Sequence, residues 1–328
     1  MLADITMKEL KLWKFIQSNL EQDVPLVFMC VLESTGSSPG RQGFKMIVSP
    51  NEIFGSIGGG IMEHKFVVMA REKLIENKNN SLTKKQVHNK TGGKDQSGMI
   101  CSGEQTIYLY PLQEKSLKHI KSIIRALSQN KNGLLQLNSD GIYFYENLVP
   151  QTNYVFEKKS DTSWEYEEKI GYKNHLYIIG GGHCSLALSK IMSTMDFYIH
   201  VVDERNNLNT MIQNKYAHQT EVIKSYDLIP SKITTSHTNY IVIMTYSYRT
   251  DGIVLRNILP LNYFYLGVLG SKTKIAKLLE ELKNEGLDDE KLKSIHAPIG
   301  IQIKSQTPEE IAVSIAAEII QYKNAQPK

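Results

Sequence analysis

A chain of 328 residues has room for two or three domains and a sizeable core. At 41% hydrophobic and 22% charged residues it has an ordinary globular composition, and its formal charge of +4 forms no basic stripe with interleaved aromatics, which excludes nucleic-acid binding. Its three cysteines, Cys30, Cys101 and Cys184, stand too far apart for a disulfide framework or a paired-cysteine zinc site, and suit a reducing compartment.

The longest apolar run, Val24–Leu32, is too short to cross a bilayer. Residues 1–17 are amphipathic and carry acids, unlike a signal or transit peptide, so the expected location is the cytoplasm. The chain opens with a helix on which Leu12, Phe15, Ile16 and Leu20 recur at helical spacing. Next come a buried strand in "PLVFMCVLEST", a loop in "TGSSPGRQG", and two short strands, "FKMIVSP" and "EIFGSIG", about a Pro-Asn turn. A triple glycine, Gly58–Gly60, leads into a helix with Met62, Phe66, Met69, Ala70 and Leu74 on one side. Residues 77–96 read as a polar segment ending in an exposed loop, and a β-rich run closes at Pro111.

Residues 113–172 give one helix and four short strands, "GLLQLN", "GIYFYE", "NYVFEK" and "SWEYEE". They form either a β-rich extension of the first domain or a linker module. From 173 on, strands alternate with helices: "HLYIIGGGH", "SLALSKIMSTM", "FYIHVVDER", "TNYIVIMTYS", "RTDGIVLRNIL", "YFYLGVLGS" and "KTKIAKLLEELKNEG". This rhythm predicts a doubly wound parallel sheet. The expected division is 1–112, 113–172 and 173–328, with an α+β first domain and a Rossmann-like last one. The final helix is expected to be capped by Thr307, to start at Pro308, and to bury Ile311, Ile315, Ala316 and Ile319.

A second triple glycine follows the first strand of the last domain. Gly180, Gly182 and Ser185 hold the small-residue positions of G-x-G-x-x-G, between a strand and a helix, with Asp203 at the end of the next strand. In that pattern Gly180 makes the tight turn, Gly182 admits a pyrophosphate to the helix amides, and Asp203 reads a ribose hydroxyl. Arg205, two residues on, leaves a 2′-phosphate or another anion open. His183 and Cys184 are turn residues or contacts to that ligand. The alternative is a sheet whose glycines only permit packing.

The first triple glycine has Ile61 where a Walker loop needs lysine, which excludes nucleotide hydrolysis of that type. What remains is a strand–glycine–helix turn with amides suited to an anion. Glu63 is either a helix-start acid or a ligand contact, and His64 a surface or satisfied histidine. The loop before it adds the Ser38 hydroxyl and the Arg41 cation. Cys101, flanked by Gly98, Ser102 and Gly103, is open to a large ligand, or is an unreactive buried thiol.

These stretches together resemble the XdhC/CoxI family, accessory proteins of molybdenum hydroxylases such as xanthine dehydrogenase and carbon monoxide dehydrogenase. The resemblance runs over nearly the whole chain. It is carried by "ESTGSSPGRQGFKMIV", "GSIGGGIMEHK", "GMICSGEQTIYL", "YIIGGGHCSLAL", "VVDER", "YLGVLGSKTK" and "IHAPIGIQIKSQTPEEIAVSIAAEII". It implies a dimeric chaperone that binds molybdenum cofactor, presents it to a cysteine desulfurase for exchange of an oxo for a sulfido ligand, and delivers it to the apo-hydroxylase. No metal site made by the protein alone is implied. Cys101 matches the family cysteine, and as the candidate catalytic residue it would contact the cofactor's molybdenum. Ser38, Arg41, Gly58, Gly59, Gly60, Glu63, Gly180, Gly182, His183, Asp203 and Arg205 are the remaining cofactor-binding candidates.

Two departures bear on ligand choice: Ser102 replaces the glycine after that cysteine, and Tyr246 stands where the family often has histidine. Two other readings stay open. One is an NAD- or NADP-dependent oxidoreductase on the C-terminal sheet, with Tyr246, Tyr248 or Asp251 as acid or base. The other is a ligand-free assembly adaptor.

Overall fold

The computed structural model describes residues 7–88, 103–160, 162–234 and 236–325. They divide into two compact units, one ending at Gly171 and one running on from Tyr172.

The N-terminal unit starts with α1 (Lys8–Leu20). An antiparallel sheet follows, built from β1 (Val27–Gly36), β2 (Lys45–Val48), β3 (Ile53–Gly55), β4 (Leu82–His88) and β5 (Gly103–Pro111). Its order is β3-β2-β1-β5-β4, so the apolar run of β1 lies at the centre, buried on both faces. Between β3 and β4, α2 (Gly60–Ile75) lays Phe66, Val67 and Ala70 against Met29, Val31, Ile107 and Leu109. On α1 the buried positions are Leu10, Leu12, Trp13 and Ile16, and Trp13 stacks on Phe28 of β1.

After β5 come α3 (Leu117–Ser128) and a second antiparallel sheet, ordered β7-β6-β9-β8. Its strands are β6 (Gly133–Asn138), β7 (Gly141–Tyr145), β8 (Tyr154–Lys158) and β9 (Trp164–Ile170). The middle segment therefore packs within the N-terminal unit. Lys45 ties the parts together from the face of β2 that β1's Cys30 shares. Its ammonium is 2.7 Å from Glu168 of β9 and 3.0 Å from Glu9 of α1. Burial works against that charge, and the two carboxylates outweigh it, raising the Lys45 pKa well above the usual lysine range.

The C-terminal unit is a five-stranded sheet, parallel throughout, in the order β12-β11-β10-β13-β14. In chain order its elements are β10 (Asn174–Ile179), α4 (His183–Met192), β11 (Phe197–Asp203), α5 (Asn209–Ile212), β12 (Gln219–Val222) and β13 (Asn239–Ile243). Then come α6 (Tyr248–Ile258), β14 (Tyr265–Val268), α7 (Lys272–Asn284), α8 (Asp289–Lys293) and α9 (Pro308–Ala325). Helices α6 and α7 bury residues on one face, and α4 and α9 on the other, giving the doubly wound sheet expected. The Glu310 amide donates to the Thr307 hydroxyl at 3.2 Å and the Thr307 amide to the Glu310 carboxylate at 3.2 Å, a reciprocal cap for α9. Among the described residues no helix is long and apolar enough to cross a membrane.

At the end of the sheet opposite the glycine turn, His218 Nδ1 accepts the Ile199 amide at 2.9 Å, so the neutral ring carries its proton on Nε2, facing the Tyr172 hydroxyl. Burial, with a smaller contribution from His175, pushes its pKa down to about 4. The folded value lies below the unfolded one, near 6.5, so the stabilisation is complete above that pH and lost as pH falls toward 4. With allowance for the part of the ring that meets solvent, the loss is about 2 kcal/mol. The C-terminal unit should melt at falling temperature between pH 6.5 and 4 in calorimetry. His218→Gln should flatten that slope, and an unchanged slope would remove His218 as its source.

Candidate functional site

The two glycine turns belong to different units and differ in what their amides hold. At the first, Gly58 has φ +132° and a Cβ there would lie 2.5 Å from the Gly40 amide nitrogen, so loops 38–40 and 56–58 meet backbone to backbone. Glu63, in the first turn of α2, reaches back over this turn. Its Oε2 accepts from the Ser56 hydroxyl at 2.6 Å, the Gly59 amide at 2.9 Å and the Ile57 amide at 3.0 Å. The amides expected to be open to an external anion are thus engaged by the chain's own carboxylate, which also complements the helix dipole. An anion seeking the Ile57 and Gly59 amides must first displace Glu63.

Around this turn Ser38 is buried, its hydroxyl 2.8 Å from Gln105 Oε1, which also accepts the Gly40 amide at 3.1 Å. The Gln105 amide passes the relay on, donating to Gln86 Oε1 at 2.8 Å. Arg41 is exposed and donates to the Gly36 carbonyl, and His64 is exposed on α2. Cys101 and Ser102 lie outside the described residues.

The second turn sits where the strand order reverses, at the carboxyl end of β10, between β11 and β13. Open parallel sheets bind their ligands at this crevice. Gly180 has φ +113°, and a Cβ would lie 2.3 Å from the Met244 carbonyl oxygen beyond β13, so only glycine fits. Gly182, the residue before α4, is the reverse: a Cβ there would meet nothing within 4 Å. That open space leads to the amino end of α4, where helix N–H groups favour an anion. His183 is exposed at the mouth, while the Ser185 hydroxyl is buried with no partner among the described residues.

Asp203 does not stand ready to read a ribose. Fully buried, it accepts the Gly181 amide at 2.7 Å, the Arg205 amide at 2.8 Å, and a two-pronged contact from the Arg205 guanidinium at 3.0 and 2.7 Å. Burial works against the charged carboxyl, and the Arg205 and Gly181 bonds outweigh it, holding the pKa below the usual range. Both oxygens are committed, so a ribose diol can bind only if Arg205 lets go. The guanidinium lies 4.7 Å from the centre of the Tyr246 ring, and the Tyr246 hydroxyl donates to Glu204 at 2.7 Å. This contact joins the loops after β11 and β13 across the end of β10. Arg205 and Tyr246, both partly exposed, present a cationic and aromatic rim.

Of the remaining acid–base candidates, Asp251 is committed to the fold. Asp251 is fully buried, 2.5 Å from Lys274 Nζ, and accepts from the Thr245 amide and hydroxyl. Tyr248 is the first residue of α6. Among the described residues no group of three or more His, Cys, Asp or Glu side chains is placed to hold a metal ion.

The sequence marks Tyr246 as a departure from the family and as an acid or base of the oxidoreductase reading, not as a partner of Arg205. The stacking of that ring on Arg205 and the buried glutamine pair Gln86–Gln105 carried no signal, because each depends on residues from separate strands or loops.

Comparison with known proteins agrees with this architecture. Residues 19–84 match the XdhC and CoxI family, and residues 176–319 match the XdhC Rossmann domain. An uncharacterized Escherichia coli K12 protein, YqeB, is 23% identical over 310 residues, 94% of this chain and 45% of its own length. A probable xanthine dehydrogenase subunit of Bacillus subtilis 168 is 26% identical over 157 residues, 48% of this chain and 45% of its own length. The chain spans less than half the length of each of these relatives. A crystal structure described as a xanthine dehydrogenase from Bacillus halodurans shares the fold, with TM-score 0.72 at 22% identity, over 98% of this chain and 97% of that one. With one match in each unit, both to the same family, the chain belongs to the XdhC/CoxI family.

Proposed function

We propose that the protein is a maturation factor for a xanthine dehydrogenase-type molybdenum hydroxylase. In this reading it binds molybdenum cofactor, presents it to a cysteine desulfurase for exchange of an oxo for a sulfido ligand, and hands it to the hydroxylase, acting as a homodimer in the cytoplasm. Family membership and the Bacillus subtilis relative, described as part of a probable xanthine dehydrogenase, support the pathway.

The observation that carries the choice of ligand is the pairing of Asp203 with Arg205 at the crevice. It closes the seat a nicotinamide dinucleotide's ribose needs, while Gly182 and the amino end of α4 leave room for an anionic group such as the cofactor's phosphate. His183, Arg205 and Tyr246 would surround that group. When bound, the cofactor supplies the molybdenum whose terminal ligand is exchanged. By resemblance alone, Cys101, outside the described residues, is the candidate thiolate for that molybdenum, the form of cysteine that ligates metals.

Equilibrium dialysis of the purified chain against molybdenum cofactor, with metal analysis and with NAD and NADP alongside, tests this. Uptake near one cofactor per chain, weakened by Cys101→Ser, is the expected result. Uptake of a nicotinamide nucleotide and no molybdenum would overturn it in favour of the oxidoreductase, and Cys101→Ser holding the cofactor as tightly as wild type would remove the thiol's part.

A further inference from the structure

Helix α9 is apolar on more than its core side. Ala312, Ile315, Ala316 and Ile319 are buried against α4 and the sheet, while Val313 and Ile320 stand 51% and 36% exposed, with half-buried Ala317 between them. Spacings of four and three residues put those three on one outward stripe. Ile301 and Ile303, on the segment leading into α9, are exposed as well. The Ser314 hydroxyl fastens that segment beside the helix, donating to the Ile301 carbonyl at 2.6 Å. Exposed apolar residues are usually scattered singly, so four large ones on one helix and the segment beside it make a patch.

The face carries its own complement. A two-fold axis between Ala316 and Ala317 sets Val313 of one copy against Ile320 of the other, with alanines at the crossing, where small side chains let two helices approach. The same axis brings Glu309 of one copy to within one residue's rise of Lys323 of the other, both on the side of the stripe nearest Ala312 and Ala316. Among the described residues neither forms an ion pair, and Lys323 Nζ lies 5.6 Å from the centre of the Phe197 ring. Opposite charges at positions related by that axis favour a second copy of this chain over an unlike partner. A stable dimer hides about 800 Å² per copy, more than one helix stripe supplies, and Ile301 and Ile303 extend the face toward it.

We propose that two copies of this chain pair through antiparallel α9 helices, Lys323 of each meeting Glu309 of the other. The pairing reaches the crevice. Burial and, less strongly, Glu309 push the Cys184 thiol above its usual range, which places this carboxylate near the amino end of α4. A negative charge there opposes an anion at the helix amides, and Lys323 from the second copy cancels it. Each copy thus supplies a cation to the mouth of the other's crevice. The assignment gives the homodimer of the proposed function its interface, and rests on that reading for the anion.

Sedimentation velocity of the full chain should show a monomer–dimer equilibrium between about 1 and 200 µM. Val313→Arg with Ile320→Arg should weaken it at least about 100-fold, because charges would be buried at the crossing. Both positions are exposed in the single chain, so the monomer's melting temperature should not change. Lys323→Glu should weaken pairing about tenfold by facing two carboxylates, and adding Glu309→Lys should restore most of the loss. Residues with separate structural roles would instead give losses that add. A chain that stays monomeric to about 200 µM, a dimer indifferent to the arginine pair, or a charge swap that restores nothing overturns the interface. Dialysis of the arginine variant against molybdenum cofactor separates the two ideas. Weaker uptake supports a cation shared across the dimer, and undiminished uptake by a monomer overturns it while leaving the carrier role. A wild-type dimer broken by the arginine pair that takes up no cofactor keeps the interface and overturns the role.

Discussion

Lys45→Met should destabilise the N-terminal unit by about 3–5 kcal/mol, a large fraction of the 5–15 kcal/mol that holds a typical domain. The wild-type ammonium lies between Glu168, 2% exposed, and Glu9, and the Tyr166 hydroxyl donates to the same Glu168 oxygen at 3.0 Å. Removing the cation leaves a buried carboxylate beside the Cys30 thiol, whose pKa burial has already pushed up to about 12. Pairing the change with Glu168→Leu should return more than half of the loss, because the cost lies in the uncompensated charge rather than in the missing attraction. Both tryptophans of the chain, Trp13 and Trp164, lie in this unit, so their fluorescence in a urea titration reports it alone. A single variant within about 0.5 kcal/mol of wild type would show that water or a rearranged carboxylate takes the place of the lysine.

That ion pair also shows where the sequence stops being informative. Lys45 and Glu168 are 123 residues apart, and each by itself reads as an ordinary surface charge. The strands β10, β11 and β13 were legible because their apolar runs are buried on both faces, as parallel strands require. The final helix was legible from its cap. Strand β4, "LTKKQVH", was not, since a charged edge strand has the composition of a loop and gains its structure only by pairing with β5. Strand β12, four mostly polar residues at the other sheet's edge, was missed for the same reason.

At the candidate site, both glycine turns and the acid that ends β11 could be placed from spacing alone. Their occupancy could not. Whether Glu63 folds back over its turn, or Arg205 over Asp203, depends on side-chain geometry that spacing does not encode. The same acids at the same positions, left open, would have supported the opposite functional reading.

Arg205→Ala should convert the crevice toward dinucleotide binding. The wild-type guanidinium takes both Asp203 oxygens, so a ribose diol gains nothing there until a charge-assisted contact is broken. In the variant Asp203 keeps its bonds to the amides of residues 181 and 205, which hold the carboxylate in place and spare the fold. A net gain of one hydrogen bond from the diol to the freed carboxylate, at about 1.5–3 kcal/mol for a bond to a charged group, predicts a gain in NAD affinity of about 10- to 100-fold. The same change removes the cation from the rim beside Tyr246, so uptake of an anionic cofactor at this crevice should fall in parallel. Opposite movements in the two affinities, measured on one preparation by calorimetry and dialysis, would show that Arg205 selects the ligand. Arg205→Lys should fall between, keeping the charge while losing the planar fork. A variant that gains no NAD and loses no cofactor would reduce the Asp203–Arg205 pair to a structural clasp and leave the choice of ligand to the N-terminal unit.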